Sequence, residues 1–507
     1  MTGLRRLSRR STVEQQERCG AAARATQMLL VGAMGGVALW LGWRSLGWPL
    51  IHDAPIMHYV AWRIAEGAAP YRDVFDMNFP GVYVIHLAIL RWLGPGDAAW
   101  RAVDLGATLV TALAVAALAA PWGRAASLGG ACFFTAYHLA GGAWNAGQRD
   151  FFLCPFLLAG ALGVVRWAEG AGTPSLLLSG LALGAGLTIK AHAVVFVAAL
   201  AALVVLRARR RGVSPLPAVV ALLAGTTVAP AATVAWIAAV GALDAWREIV
   251  FGYLVPLYSQ LSRPADWFYF RWHAWIAIIA AVGLTVGHLA WARRFTARHA
   301  VVVIGLAYGL IHFVAQRKGW EYHLYPLAAF AAVLLFAGLG SALTARRWLA
   351  GVPIVASVVA VVWLLGVKGS EASDSDWLRL KAQRVAALGE DLAARTRPGD
   401  LVQVFDTTDG GAHALLRGRL IEPTRFVYDF HFYHHVDAPM IQRLRGELIQ
   451  HLKARPPALV VLLRAGWPAG GYERLDRFPA LKEWLARGYH LAHEGDGYRI
   501  YAKRHDS

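Results

Sequence analysis

Apolar residues in this chain come in long, nearly unbroken runs, not in the three-to-four spacing of a helix that is half exposed to water. A helix needs about 20 apolar residues to cross the hydrocarbon core of a bilayer. Runs of roughly that size lie near 27–47, 102–121, 125–143, 151–167, 174–189, 191–206, 216–242, 274–292, 300–316, 322–343 and 347–367. They predict a mainly α protein whose residues 27–367 form a polytopic α-helical membrane domain of about 11 to 13 spans. Residues 1–26 are a basic leader with Arg5, Arg6, Arg9, Arg10, Arg18 and Arg24. The first apolar run is long for a signal peptide and lacks a clear small-residue cleavage site, so it reads as a retained anchor with a cytoplasmic N-terminus.

After residue 367 the pattern changes. Trp377 to Arg397 carries Leu378, Val385, Leu388 and Leu392 at helical spacing and ends at Pro398-Gly399-Asp400, a helix-stop and turn signal. Strands are expected at Leu401–Phe405, Ala458–Leu463, Tyr489–His493 and Tyr498–Ala502, and helices at 439–454 and 479–488. Such alternation predicts a small α/β domain over 368–507.

The stretch 81–95 is short for a span and carries Arg91. Read as interfacial or re-entrant, it lets three basic loops fall on the cytoplasmic side together: 207–211 with Arg207, Arg209, Arg210 and Arg211, 293–298 with Arg293, Arg294 and Arg298, and Arg346–Arg347. The alternative is a short tilted span. With eleven crossings, the outer segments are 48–101, 144–150, the surroundings of Lys190, 243–273, 317–321 and the α/β domain. This layout fits a multi-pass protein of a bacterial inner membrane.

Composition sharpens the class. The 507 residues are 57% hydrophobic and 16% charged, against roughly a quarter charged in soluble proteins, which excludes both a purely soluble globule and a disordered chain. Net charge is +18, with 29 basic and 14 acidic residues up to 367 and 21 and 18 beyond it. The excess sits in the apolar part, as membrane-facing basic loops do, and argues against a nucleic-acid partner. Cys19, Cys132 and Cys154 form no spaced set, so neither a disulfide framework nor a Cys-based metal site is indicated.

Unusual polar residues concentrate in the outer segments. The first loop holds His52, Asp53, Tyr59 and then GAAPYRDVFDMNFPG at 67–81, with Tyr71, Arg72, Asp73, Asp76 and Asn78. Asp53 follows the first span, where a carboxylate can take a proton from an acceptor hydroxyl or can cap the next helix. Asp73 and Asp76 can bind a cation or an arginine, or do no more than shape the turn. Arg149-Asp150 interrupts two apolar runs as interface anchors or site components. Lys190 can snorkel to the interface or neutralise a lipid phosphate. Arg317 and Lys318 run against the positive-inside trend, which suits an anionic head-group. An aromatic interface belt accounts for at least two of Trp320, Tyr322 and Tyr325. His431, His434 and His435 have helical ligand spacing but no zinc-motif context. No GxGxxG, Walker or GxSxG motif is present.

An Asp just after the first span, followed by G-x-x-PY-R-D-x-F-[ED]-x-x-x-P, resembles the GT-C superfamily of polyprenyl-phosphate-sugar glycosyltransferases, and within it the protein O-mannosyltransferase and aminoarabinose transferase group. The resemblance covers the whole layout, while motif support is confined to about five short stretches. It implies that Asp53 is the loop-one catalytic acid, that Asp76 is the second acidic residue before Pro80, and that Arg149-Asp150 is the acidic motif of the second outer loop. Lys190 is similar to the lysine after a Gly-Leu-x-x run, and Tyr322-His323-Leu324-Tyr325-Pro326 resembles the segment near the lipid-phosphate site. Two departures stand out. Ala54 follows Asp53 where relatives have a second acid, and Asn78-Phe79 replaces Lys-Pro, leaving the phosphate charge to Lys190, Arg317 or Lys318.

The resemblance implies inverting transfer of a sugar from a polyprenyl-phosphate donor to a glycolipid, polysaccharide or protein hydroxyl on the outer face. It leaves metal dependence open, since relatives differ: no cofactor is required by the resemblance, and two loop carboxylates are compatible with a divalent cation or with none. The rival classes are a flippase of a lipid-linked sugar, which needs polar residues lining a path through the bilayer, and a membrane scaffold with a glycan-binding domain. Ionisable residues gathered on one side favour the enzyme.

Overall fold

The computed structural model describes residues 2–262, 273–291, 293, 295–344, 348–373 and 376–504, and the side chains of 2–19 are not among its described parts. The leader arginines Arg5, Arg6, Arg9, Arg10 and Arg18, together with Arg294, Arg346 and Arg347, therefore lie outside the described side chains, as does the end of the expected outer segment 243–273. The helices in chain order begin with α1 (Thr2–Ser45), α2 (Ala54–Ala65), α3 (Pro80–Trp92), α4 (Asp97–Ala119), α5 (Arg124–Ala140) and α6 (Arg149–Ala168). Next come α7 (Pro174–Ile189), α8 (Val194–Arg210), α9 (Leu216–Ala239), α10 (Leu243–Arg247), α11 (His273–Trp291) and α12 (Ala297–Gln316). Then follow α13 (Tyr325–Leu335), α14 (Ala337–Thr344), α15 (Trp348–Ser373) and α16 (Asp376–Ala393).

These residues form two compact units. The first holds residues 1–47, 103–230 and 262–374, and among its described residues every regular element is a helix. Among the described residues of the chain, eight helices are long and apolar enough to cross a membrane. The protein is a polytopic α-helical membrane protein. Its apolar residues explain the arrangement. Leu39 and Trp43 on α1, Leu109 and Leu113 on α4, and Trp363 on α15 stay exposed, as side chains facing lipid must.

The helix α13 is apolar all round and every one of its residues is buried, the expected fate of a helix with no polar face. It packs against α5, α6, α11 and α12. Close approach depends on missing side chains: a Cβ on Gly130 of α5 would sit 2.5 Å from the Ala332 carbonyl oxygen, and one on Gly309 of α12 would sit 2.4 Å from the Leu327 nitrogen. Small residues at such contacts let membrane helices approach backbone to backbone.

The second unit holds residues 48–102, 231–261 and 375–507. Its sheet comprises β1 (Val402–Phe405), β2 (Leu459–Leu463), β3 (Tyr489–Gly495) and β4 (Tyr498–Lys503), in the order β1-β2-β4-β3. β1 and β2 are parallel, from Val402 opposite Leu459 to Phe405 opposite Leu462, and β4 runs antiparallel to both β2 and β3. VQVF and LVVLL are buried at every position, which accounts for their lack of apolar–polar alternation. The helices α17 (Gly411–Gly418), α18 (Pro439–Ala454) and α19 (Pro479–Gly488) complete the unit.

The loop helices α2 and α3 pack on each other, and α2 also packs on α17. At 13 residues, α3 is about 20 Å long, well short of the hydrocarbon core. The loop at Phe75 is clamped to the segment around Arg425. Phe75 N–H donates to the Arg425 carbonyl at 2.6 Å, and the Arg425 guanidinium covers the Phe75 ring while pairing with Glu447 at 2.6 Å.

Candidate functional site

Asp53 stands at the N-cap position of α2, yet its side chain makes no capping hydrogen bond. The local chemistry explains this. Pro55 in the first turn has no N–H to offer, and the N–H groups of Ile56 and Met57 both donate to the Asp53 carbonyl, at 3.1 and 3.2 Å. The capping alternative raised by the sequence is therefore not what this carboxylate does. Instead Asp53 Oδ1 lies 3.5 Å from His52 Nε2, with both side chains largely buried.

His52 is a non-glycine residue in the left-handed region, with φ 63°. Its Nδ1 lies 3.3 Å from Lys381 Nζ of α16. The two residues border a cavity of about 10 Å³, shared with Ile51, Asp406, Thr408 and His413, room for about one water. The Asp406 carboxylate accepts the N–H groups of Asp409, Gly410 and Gly411 at 2.7, 3.0 and 2.8 Å, so it caps the start of α17. Asp409 pairs with Arg384 at 2.7 Å. Burial first, and then the charge of Asp406, push the Asp409 carboxyl up to about 6. Burial drives His413 down to about 3, leaving it neutral.

The other loop carboxylates go to structure. Asp73 accepts the Ala69 N–H at 2.8 Å and pairs with Arg72 at 2.9 Å, and the hydrogen bond from Arg72 is the main reason its carboxyl is lowered. Asp76 is fully buried and accepts from Asn78 Nδ2 at 2.8 Å, Tyr83 hydroxyl at 2.8 Å and Met77 N–H at 2.7 Å. The Tyr71 hydroxyl donates to the Asn78 carbonyl at 2.8 Å, and that of Tyr59 to the Leu420 carbonyl at 3.2 Å. Asp73 thus faces an arginine, and Asp76 accepts from the three neutral donors just named. Among the described residues no group of three His, Cys, Asp or Glu side chains suits a metal.

A second constellation lies within the membrane unit. Asp150 is not in a loop, as the sequence suggests, but in the first turn of α6. It is fully buried: one oxygen lies 3.1 Å from Lys190 Nζ, the other 2.5 Å from His312 Nε2. Lys190 follows the last residue of α7 and also donates to Gln316 Oε1 at 3.0 Å. It is thus engaged inside the protein and does not simply snorkel. His323 is buried, and its Nδ1 has no hydrogen-bond partner among the described residues. Lys318 is 2% exposed and burial lowers its ammonium to about 8, with the charge of Arg317 adding to the effect. Arg317 is exposed and ends α12 in the left-handed conformation; Arg149 is half-buried beside Asp150 in sequence.

Two expectations need correction. Tyr322 and Tyr325 are 2% and 0% exposed, so they form no interface belt; the Tyr325 hydroxyl instead meets His138 Nδ1 at 2.7 Å. His431 and His434 both bond the Tyr253 hydroxyl, at 2.8 Å each, and so are parts of a packed network, not an open ligand set. Sequence reasoning also missed His312 and Gln316, although polar residues four apart in an apolar helix were the available signal. It missed Lys381 and the buried chain Asp104–His138–Tyr325 as well.

No protein-family model matches the chain, and no curated protein matches it in sequence. Solved structures do. ArnT from Cupriavidus metallidurans bound to undecaprenyl phosphate aligns with a TM-score of 0.58 at 13% identity, covering 93% of this chain and 97% of that one. Its apo state gives 0.57 at 14% identity, over 95% and 98%. The archaeal oligosaccharyltransferase AglB from Archaeoglobus fulgidus, in complex with an inhibitory peptide and a dolichol-phosphate, gives 0.51 at 10% identity, over 95% and 74%. At such identities the likeness shows a shared fold.

Proposed function

This chain has the GT-C fold of the aminoarabinose transferase ArnT and of AglB, and from that premise we propose that it is an inverting membrane glycosyltransferase. The donor is a sugar on a polyprenyl phosphate. The acceptor is a hydroxyl of a cell-envelope glycolipid, polysaccharide or protein, on the outer face of the inner membrane. The observation that carries the reading is Asp53: a carboxylate at an N-cap position that leaves the helix N–H groups alone and is held beside a histidine.

In the proposed step Asp53 takes the proton of the acceptor hydroxyl as that oxygen attacks the anomeric carbon. The bond from that carbon to the phosphate oxygen breaks, and the electron pair leaves with the lipid phosphate, inverting the centre. The charge of the departing phosphate is met by Lys190, Lys318 and Arg317, and preorganised cations act most strongly where charge develops. Lys190 arrives already oriented by Asp150 and Gln316, so Asp150 serves the reaction by holding that ammonium. Two neighbours of this fold were crystallised with undecaprenyl phosphate and dolichol-phosphate, which supports a lipid phosphate as the leaving group.

The test uses the full chain in liposomes that contain a panel of undecaprenyl-phosphate-linked sugars and candidate acceptors. Release of undecaprenyl phosphate is expected with at least one donor, and Asp53→Asn should reduce it by roughly 10²–10⁴-fold. Movement of the intact donor across the bilayer without bond cleavage would sink the transferase reading and indicate a flippase. The reading also requires cysteines placed at the exposed positions 72 and 317 to react from the non-cytoplasmic side.

A further inference from the structure

Lys381 is 4% exposed, and a buried ammonium is costly unless it is put to use. It has three N–H donors. One points at His52 Nδ1, 3.3 Å away, and the ammonium also lies 5.2 Å from the centre of the Trp377 ring. The obvious carboxylates are already occupied. Asp406 is taken by three backbone N–H groups, and Asp409 by Arg384.

An acceptor at His52 Nδ1 fixes the tautomer, because a neutral imidazole that accepts at one nitrogen carries its proton on the other. That other nitrogen, Nε2, is the one 3.5 Å from Asp53 Oδ1. His52 is held in this orientation at a left-handed backbone geometry, φ 63°, that is uncommon for a residue other than glycine and persists only where the surroundings over-determine it.

Resting on the reading of Asp53 as the base, we infer that Lys381 is a positioning residue: through His52 it orients the Asp53 carboxylate and keeps it ionised. The α/β segment thus contributes to the reaction without touching substrate. Other charged or titratable groups face this site as well. Arg384 faces it from α16, Asp406 and Asp409 from the loop after β1, and His413 from α17. A nearby cation favours the ionised form of a carboxyl, so removing the charge of Lys381 should raise the pH at which Asp53 takes up its proton.

The experiment compares Lys381→Met and Lys381→Arg with the wild-type full chain in liposomes. Turnover of an undecaprenyl-phosphate-linked sugar selected from the donor panel is followed from pH 4.5 to 8.5, and carbodiimide labelling of Asp53 is read by mass spectrometry over the same range. Asp409 titrates in this window, so each profile is repeated in an Asp409→Asn background. Lys381→Met is expected to move the acidic limb of kcat and the Asp53 labelling midpoint up by about one unit. At pH values below both midpoints turnover should fall roughly tenfold with the donor KM unchanged, and Lys381→Arg should restore most of it. Superimposable wild-type and Lys381→Met profiles and midpoints would overturn the inference. So would a Lys381→Met that loses kcat equally at every pH. If no donor is turned over, the labelling midpoint still decides the role of Lys381, and only the transferase reading falls. If Lys381→Met does not fold, Lys381→Gln and Lys381→Arg carry the same comparison.

Discussion

Replacing Lys190 by Met tests the ion pair on which the membrane unit turns. Its Nζ lies 3.1 Å from Asp150 Oδ2, with side chains 15% and 0% exposed. At an effective dielectric of about 20, unit charges at that distance attract by about 5 kcal/mol. Breaking a buried pair by removing one partner costs about 3–5 kcal/mol, since the survivor stays buried. His312 keeps its hydrogen bond to the other oxygen, so the lower end, about 3 kcal/mol, is the expected loss. Asp150→Asn should lose a similar amount. The double variant Lys190→Met/Asp150→Asn removes both charges and should recover to within about 1 kcal/mol of the wild type. The assay is chemical and thermal unfolding of all four proteins in one detergent, followed by tryptophan fluorescence. Donor turnover is measured on the same samples, and there the double variant should be stable but inactive. A Lys190→Met protein as stable as the wild type would refute this reasoning, as would a double variant as unstable as its two parents combined.

Three further outcomes are expected. Asp409 has its carboxyl raised to about 6, so its contribution to stability is fully present only well below pH 4 and is lost as pH rises through 6; relative to Asp409→Asn, the wild type should be about 2.5 kcal/mol more stable at pH 4 than at pH 7 in urea titrations. Gly309→Ala drives a Cβ to within 2.5 Å of the Leu327 backbone, which cannot step aside, and should cost about 1–3 kcal/mol in thermal unfolding. Tyr253→Phe strips both His431 and His434 of the hydroxyl 2.8 Å away and should cost about 2 kcal/mol by the same measurement.

Much of the architecture was readable because burial in lipid and burial in protein leave different marks on a sequence. The expected helices at 439–454 and 479–488 match Pro439–Ala454 and Pro479–Gly488, both opened by a proline that suits a first turn. The four expected strands are found within a residue or two at each end. The apolar runs all coincide with helices, but their ends shift wherever polar chemistry intervenes. α4 starts at Asp97, before its apolar run, because that carboxylate accepts the Leu50 N–H at 2.8 Å. The run 322–343 is divided at Phe336 into α13 and α14, a break that no proline or charge announces.

The candidate site was legible residue by residue but not as pairings. Asp150 and Lys190 are conspicuous because charge is rare in apolar sequence, yet nothing in their spacing says that one neutralises the other or that His312 closes the set. Spacing along a helix reports which side chains share a face; it does not report which helix that face meets. Lys381 shows the same limit from the other direction. In the sequence it is one polar position in a helix with an alternating pattern, the usual setting for a solvated lysine, and only the packing of α16 buries it at His52. A buried charge can be recognised only once its surroundings are known, so the groups that tune a site are harder to read from sequence than those that perform its chemistry. The carboxylate of Asp53 makes the same point: the sequence allowed a helix cap there, and only the packing shows that two backbone N–H groups bond the Asp53 carbonyl and not its side chain.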